Sequence, residues 1–319
     1  MTKSIELPTA PKRVVIGADG HAKLAELLRS VRPEIEIRAN KVAAVSEADL
    51  EWADAYLGFR RPPIESMGNV RWVHSTGAGV DIWLYPKELP PNILLTRSSE
   101  SFGPMIAEWA LARALAFTQQ LVSLVEAQQQ KRWAPRDISM FAGTKAVVVG
   151  TGDVGVHVAR LFRALGADVH GVSRSGSQTD ETFTTVTPVS QISNVIGDAH
   201  WLILMLPLTA ATHALINRDV LSHCRNVVLI NAGRGAVVEE SAISDALNNG
   251  WLRGAALDVF EVEPLPASSP LWADKRVIIS PHISGITTMN GAITGFLECL
   301  SDLEQGRAPK WVVDRERQY

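Results

Sequence analysis

One segment constrains this chain more than any other: Lys145–Gly155, KAVVVGTGDVG. A β-branched run enters Gly150-x-Gly152-x-x-Gly155, and a stretch of helical period, VHVARLFRALG, comes next. At such a junction the first glycine permits the tight turn and the second lets backbone amides approach a pyrophosphate. The third lets the helix pack close to its strand, and the helix N-terminus supplies the anion site. Three glycines alone make a weak signal, since a Gly-rich turn need hold no ligand. Placed between strand and helix, with a second strand (DVHGVSR) arriving on schedule, they predict a dinucleotide cradle on a parallel α/β sheet.

The end of that second strand bears on which dinucleotide. A carboxylate about 20 residues after the loop would hold the ribose 2′-hydroxyl of NAD. Here Ser173-Arg174-Ser175-Gly176-Ser177-Gln178 occupies the position, and no acid appears until Asp180. Without a carboxylate there is no repulsion against a 2′-phosphate, and Arg174 offers a planar charged fork, with Ser173 and Ser175 as further donors. The alternative is a plain surface arginine. The residues predict NADP(H) in preference to NAD(H), which stays the second choice.

The remaining pattern extends the same architecture in both directions. Arg13–Gly17, Glu34–Arg38, Ala55–Phe59, Arg71–His74 and Ile93–Thr96 read as short strands, with a helix over His21–Ser30. After Gly143 come six stronger strands: Lys145–Gly150, Asp168–Ser173, Trp201–Leu206, Asn226–Asn231, Gly254–Val259 and Val277–Ser280. Helices are expected from near Asp153, Val189, Arg218 and Glu239, and again over Thr287–Gly306. Between the halves, Pro104 opens an apolar stretch without internal Gly or Pro from Met105 through Val125, which predicts one helix of about 25 residues. Alternating strands and helices imply parallel sheets covered on both faces.

Composition narrows the class. At 319 residues two domains are expected, and 46% hydrophobic content excludes a disordered chain. A net charge of −3 gives no basic field for nucleic acid and no polybasic membrane anchor. The strongest apolar run, Trp201–Leu208, is far short of the roughly 20 residues a spanning helix needs. The N-terminal residues lack the apolar core of a signal peptide. Cys224 and Cys299 cannot build a disulfide framework, which fits a reduced, cytoplasmic setting. Nine Trp against three Tyr is an unusual ratio.

Three further segments fall at the ends of late strands, where open α/β sheets place their ligands. They are Asn231-Ala232-Gly233-Arg234-Gly235, Asp258 through Leu265, and Ser280-Pro281-His282-Ile283-Ser284-Gly285. Singly, Arg234 could cap a helix, Glu263 could be one loop acid among many, and His282 could be a buried structural histidine. A fourth segment, His74-Ser75-Thr76-Gly77-Ala78-Gly79-Val80-Asp81, comes after an early strand, and its small residues could expose amides as an anion nest or form a plain turn.

Together, and in this order, these segments resemble the D-isomer-specific 2-hydroxyacid dehydrogenase family over essentially the whole chain. The matching stretches are the G-x-G-x-x-G loop, LPLTAATHALIN (206–217), NAGRGAVV (231–238), ALDVFEVEPL (256–265) and SPHISG (280–285). Within the family the chain is most similar to bacterial glyoxylate/hydroxypyruvate reductases, with their STGAGVD segment and a Trp after the long helix. The resemblance implies two Rossmann-like domains, a flavodoxin-like substrate domain and a dinucleotide-binding domain, with an active-site cleft between them. The substrate domain would comprise residues 1–101 and 287–319 and the cofactor domain 102–286, with hinges near Ser99–Pro104 and Gly285–Asn290. It implies catalytic roles for Arg234, Glu263 and His282. Cofactor contacts are implied at Gly150, Gly152, Asp153, Val154, Gly155, Ser173, Arg174, Ser175, Leu206, Pro207, Thr212, Asn231, Ala232 and His282, with Asp258 near the nicotinamide carboxamide. Substrate contacts are implied at Ala78, Gly79, Val80, Arg234 and His282. It also implies a homodimer through the long helix, and places Trp83 and Trp133 near pocket and interface, while Trp109 and Trp201 read as core.

The side chains suit that chemistry. Reducing a 2-keto acid calls for a cationic clamp on carboxylate and keto oxygen, which Arg234 supplies, and a proton donor near neutral pH, which His282 supplies. Glu263 would favour the imidazolium and orient the ring. The expected activity is reduction of a small keto acid such as glyoxylate or hydroxypyruvate to the D-2-hydroxy acid. Three relatives in fold stay as alternatives. Formate dehydrogenases pair a glutamine with the histidine, against Glu263 here. Phosphite dehydrogenases and other NAD-dependent enzymes keep the three catalytic types, and Arg174 is the discriminating residue. Dinucleotide-sensing corepressors use the fold for interaction rather than turnover. No metal is expected.

Overall fold

The computed structural model of the protein describes residues 7–85, 87–98, 102–178 and 180–318. By internal contacts the chain divides into two compact units, Met1–Glu100 with Thr287–Tyr319, and Ser101–Ile286. In the expected first hinge, residues 99–101 lie outside the described residues.

The first unit carries β1 (Arg13–Gly17), α1 (His21–Val31), β2 (Glu36–Asn40), α2 (Glu47–Trp52), β3 (Ala55–Leu57), β4 (Trp72–Ser75), α3 (Asp81–Leu84) and β5 (Leu94–Arg97). The parallel order β2-β1-β3-β4-β5 is that of flavodoxin-like sheets. α2 is too short to show a helical period in the sequence. Its signal is local: Ser46 caps Asp49 N–H and Asp49 reaches back to Ser46 N–H, a capping box. One core face gathers Val14, Ile16, Leu24, Leu28 and Trp72 with Phe296 and Leu300 of the C-terminal return; the other gathers Val15, Tyr56, Val73, Trp83 and Leu95. Residues 311–313 return antiparallel to β5, with Arg97 N–H on Trp311 O and Val313 N–H on Leu95 O.

The second unit carries α4 (Gly103–Thr118), α5 (Leu121–Gln129), β6 (Lys145–Val149), α6 (Asp153–Ala164), β7 (Asp168–Ser173), β8 (Val186–Pro188), β9 (Trp201–Leu204), α7 (Arg218–Ser222), β10 (Val227–Asn231), α8 (Glu240–Asn248), β11 (Leu252–Leu257) and β12 (Val277–Ile279); α9 (Met289–Glu304) belongs to the first unit. The parallel order is β12-β11-β10-β9-β6-β7-β8, reversing direction of progress at β6, the switch point of a Rossmann sheet. The small edge strand β8 adds to the expected six; its half-exposed VTP has no apolar run to announce it. The helix expected from Val189 is a 3-10 turn, Val189–Asn194, with Gln191 off helical geometry.

The single long helix is also corrected. It breaks at Gln120, which adopts a left-handed φ of 54°. The break is stabilised from outside the helix. Ser139 N–H donates to Thr118 O at 2.9 Å and Gln119 Nε2 donates to Ser139 O at 3.3 Å, so carbonyls released at the helix end find partners in the returning segment. Propensity alone cannot show that rescue.

Register sets where the loops of the second sheet emerge. Val172, Val149, Leu204, Asn231, Leu257 and Ile279 are paired in one line across it. Every loop leaving those strands is therefore placed along the same edge. No helix is long and apolar enough, among the described residues, to cross a membrane. Cys224 and Cys299 are free and buried, and burial pushes their thiols up to about 12 and about 11.

Candidate active site

The Gly-rich turn has the form its sequence implies. Gly150 leaves β6 with a φ of 103°, which a side chain rarely adopts, and its N–H bonds Val172 O of the neighbouring strand at 2.8 Å. A side chain at Gly155 would overlap Gly150 O, so only glycine lets α6 approach the turn. At Gly152, the residue before α6, a Cβ would meet nothing within 4 Å. The protein itself does not need that glycine for packing. The space and the first amides of α6 at Asp153 and Val154 suit a pyrophosphate, so the residues present fit a dinucleotide.

Beyond β7, Ser173 Oγ accepts Gly176 N–H at 3.0 Å, and Ser175 and Ser177 hydroxyls meet at 2.9 Å, which fixes the turn. Arg174 is exposed and makes no hydrogen bond or ion pair among the described residues. Asp180, the first acid after the turn, is engaged elsewhere: it pairs with Arg160 at 2.9 Å and accepts Thr182 N–H at 2.8 Å.

Along the same edge, Thr212 Oγ1 donates to Pro207 O at 2.6 Å and accepts Thr209 N–H at 2.8 Å, folding the Leu206–Thr212 loop on itself. Buried Asn231 binds both sides of its own turn, donating to Arg234 O at 3.1 Å and accepting Gly233 N–H at 3.1 Å, next to buried Ala232. That turn presents Arg234, partly buried, with Nη1 donating to Gly233 O at 2.8 Å.

His282 Nδ1 lies 2.7 Å from Glu263 Oε2, and both side chains remain about one-third exposed (38% and 35%). Glu263 Oε1 accepts Phe260 N–H at 3.0 Å. Burial acts to raise the Glu263 pKa, but the hydrogen bonds from His282 and Phe260 N–H, with the charges of His282 and Arg234, hold it below the usual carboxylate range. The structure thus brings Arg234, Glu263 and His282 into one electrostatic neighbourhood.

Burial describes these side chains further and corrects one expectation, that Trp83 lies near the pocket. Asp258 is fully buried, and its carboxylate accepts Ser280 Oγ–H, Ile283 N–H and Ser284 N–H at 2.5, 3.0 and 2.8 Å. It organises the His282 loop. Ser280 and Ser284 join this arrangement without having been singled out in the sequence; the available signal was Ser-x-His-x-Ser after a strand-end Asp. Val80 is 3% exposed and packed in the core of the first unit, which leaves only its amide for a ligand, while Ala78 and Gly79 are partly exposed. Trp83 is core, edge-on to Tyr56 at 5.5 Å, with Nε1 donating to Phe59 O. Trp109 and Trp201 are buried as expected, and Trp133 is 98% exposed. No group of His, Cys, Asp and Glu among the described residues could hold a metal ion.

Comparison with known proteins identifies the family. A sequence model described as D-isomer specific 2-hydroxyacid dehydrogenase, NAD binding domain, matches residues 111–284. Glyoxylate/hydroxypyruvate reductase A of Serratia proteamaculans is 32% identical over 294 residues, 88% of this chain and 91% of that protein. A D-isomer specific 2-hydroxyacid dehydrogenase from Xanthobacter autotrophicus, solved with NADPH and MES, superposes with a TM-score of 0.86 at 30% identity, covering 97% of this chain and all of that one. An NADPH-dependent glyoxylate/hydroxypyruvate reductase from Sinorhizobium meliloti, solved with NADP and sulfate, gives 0.86 at 26% identity over 97% and 100%. The chain belongs to the D-isomer specific 2-hydroxyacid dehydrogenase family, NAD(P)-dependent oxidoreductases of small 2-hydroxy and 2-keto acids.

Proposed function

We propose that the protein reduces a small 2-keto acid of the glyoxylate or hydroxypyruvate kind to its D-2-hydroxy acid, with NADPH as the preferred reductant. The observation that carries this reading is the His282–Glu263 pair at 2.7 Å beside Arg234, on the edge that also bears the open glycine turn. When bound, the nicotinamide supplies or takes up hydride. The chain's own residues do the rest. Arg234 binds the carboxylate and polarises the keto oxygen. Glu263 holds His282 through Nδ1, which leaves Nε2 to give a proton to the forming alkoxide, or to take one in the oxidative direction. The amides of Ala78, Gly79 and Val80 offer a further carboxylate rest. Gly150 through Gly155, with the 206–212 and 231–232 loops, hold the dinucleotide, and Arg174 with Ser173 and Ser175 takes the 2′-phosphate.

Relatives named for glyoxylate and hydroxypyruvate, and related structures solved with NADP or NADPH, support the substrate class and the coenzyme. The test is NADPH oxidation with glyoxylate, hydroxypyruvate and phenylpyruvate, repeated with NADH. Turnover with the first two and a preference for NADPH is the expected result; no turnover with any keto acid overturns the reading. A homodimer is part of the proposal, supported by the exposed apolar residues Leu121, Val125, Trp133, Ile138 and Met140 around α5. Light scattering at twice the chain mass checks it. Two free cysteines support a reducing compartment, the cytoplasm.

A further inference from the structure

His282 carries a left-handed φ of 54°, a conformation that a non-glycine residue keeps only where its surroundings enforce it. The enforcing groups converge on Asp258. Its carbonyl accepts His282 N–H at 2.8 Å, while its carboxylate takes the two following amides, Ile283 and Ser284, and the Ser280 hydroxyl. The loop is therefore bonded to one residue before, at and immediately after the histidine. Ser280 is itself held from the opposite side: Trp109 Nε1–H, on α4, donates to Ser280 Oγ at 3.2 Å, and the Arg113 guanidinium stacks on the Trp109 ring at 4.5 Å. Trp109, Ser280, Asp258 and Ser284 are 7, 4, 0 and 5% exposed, so water does not replace a bond that is removed.

We propose that Trp109 and Ser280 are positioning residues for the reaction, acting through Asp258 to hold His282 in its left-handed conformation with Nδ1 on Glu263. The Ser280 hydroxyl has one proton, which goes to Asp258 Oδ1, and its lone pair receives the indole N–H. This polarity ties the serine between helix α4 and the carboxylate. If either tie is lost the loop relaxes toward ordinary backbone geometry and the ring turns away from Glu263. Neither residue touches the reacting atoms in this arrangement.

The inference rests on His282 being the proton donor, so His282→Ala is assayed beside the two test variants, Trp109→Phe and Ser280→Ala. Trp109→Phe keeps an aromatic ring and removes only the donor side, which guards against a variant that fails to fold. The assay is keto-acid-dependent NADPH oxidation, giving kcat and KM for NADPH. Both variants are expected to lose kcat by about tenfold or more, with KM for NADPH within about twofold. Combined with Glu263→Gln, either variant should cost less than the product of the single losses, since both act on one ring. Losses that fall on KM for NADPH instead of kcat, or fully multiplicative losses, overturn the relay. If His282→Ala itself keeps wild-type turnover, the assignment of His282 falls, and the relay falls with it for that separate reason.

Discussion

The two sheets end in different ways, although both are parallel and both place their loops along one edge. In the first sheet Ala39, Ile16, Leu57, His74 and Thr96 are paired across the strand ends, as Val172 through Ile279 are in the second. At Gly17 and His74 the first edge is filled by the protein's own side chains. A Cβ at Gly17, at the end of β1, would overlap the Tyr56 hydroxyl, which donates to Gly17 O and Arg60 O. His74 is wholly buried between Thr96 Oγ1 and Ser98 Oγ and lies against Trp72 and Phe296. On the second edge the residue before α6, Gly152, opens on empty space, Arg174 is exposed, and His282 meets a carboxylate instead of hydroxyls. A strand-end histidine or glycine is thus not a site in itself; what faces it decides.

The widest separation between the edges is expected from their histidines. His282→Ala should lower kcat by about 10³-fold, the range of a lost general acid, with folding intact. His74→Gln, which keeps partners for both hydroxyls, should leave kcat within about threefold. Equal losses of kcat in the two variants would erase the distinction between the edges.

Glycines give the next contrast. Gly17→Ala forces a methyl into the Tyr56 hydroxyl and should destabilise by about 1–3 kcal/mol, the cost of overpacking a filled site. Gly152→Val places its Cβ where no protein atom lies within 4 Å, so urea denaturation should change little. Instead KM for NADPH should rise about tenfold or more, because the branched side chain takes the space of the dinucleotide. A Gly152→Val protein with ordinary coenzyme affinity would show that the open turn is not the cradle.

Arg174→Ala sharpens the same edge at smaller amplitude. One charge-assisted hydrogen-bonding partner is removed from the 2′-phosphate, which is worth about 1.5–3 kcal/mol, or roughly tenfold to a hundredfold in kcat/KM for NADPH. Efficiency with NADH should stay within about twofold. A parallel fall with both coenzymes would assign Arg174 to the fold instead.

How much of these edges is legible in the sequence depends on the range of the forces involved. Strands such as Arg13–Gly17 and Asp168–Ser173 are legible to the residue, because a β-branched run bounded by Gly or a polar turn is a local signal. The glycine turn is legible because it needs fixed residue types at a fixed spacing, whereas Arg234, Glu263 and His282 are singled out only by the resemblance of their segments to the family. The break at Gln120 depends on Ser139, the burial of Trp83 on Tyr56 and Phe59, and the task of Asp258 on Ser280 and Ser284. Each of these is decided by a partner distant in sequence, and no periodicity carries that information. His74 and His282 look alike in sequence for the same reason.

Acid should expose the edges one after the other. Burial pushes the His74 pKa down to about 3 from an ordinary 6.5, so the unfolded chain binds a proton that the folded chain refuses between those values. The stability held by neutral His74 is complete above about pH 6.5 and is lost progressively as pH falls toward 3. Glu263 behaves differently. Its pKa is already below the usual carboxylate value, so its contribution is complete above about pH 4.5 and declines only as pH falls through its lowered value. Urea midpoints should therefore begin to fall between pH 7 and pH 5 through the first unit, before Glu263 takes up its proton. In His74→Gln nothing titrates at that position, and the decline between pH 7 and pH 5 should flatten while the decline below about pH 4.5 persists. A wild-type slope in His74→Gln would show that another group governs the mild-acid range, and that the closed edge is closed for packing alone.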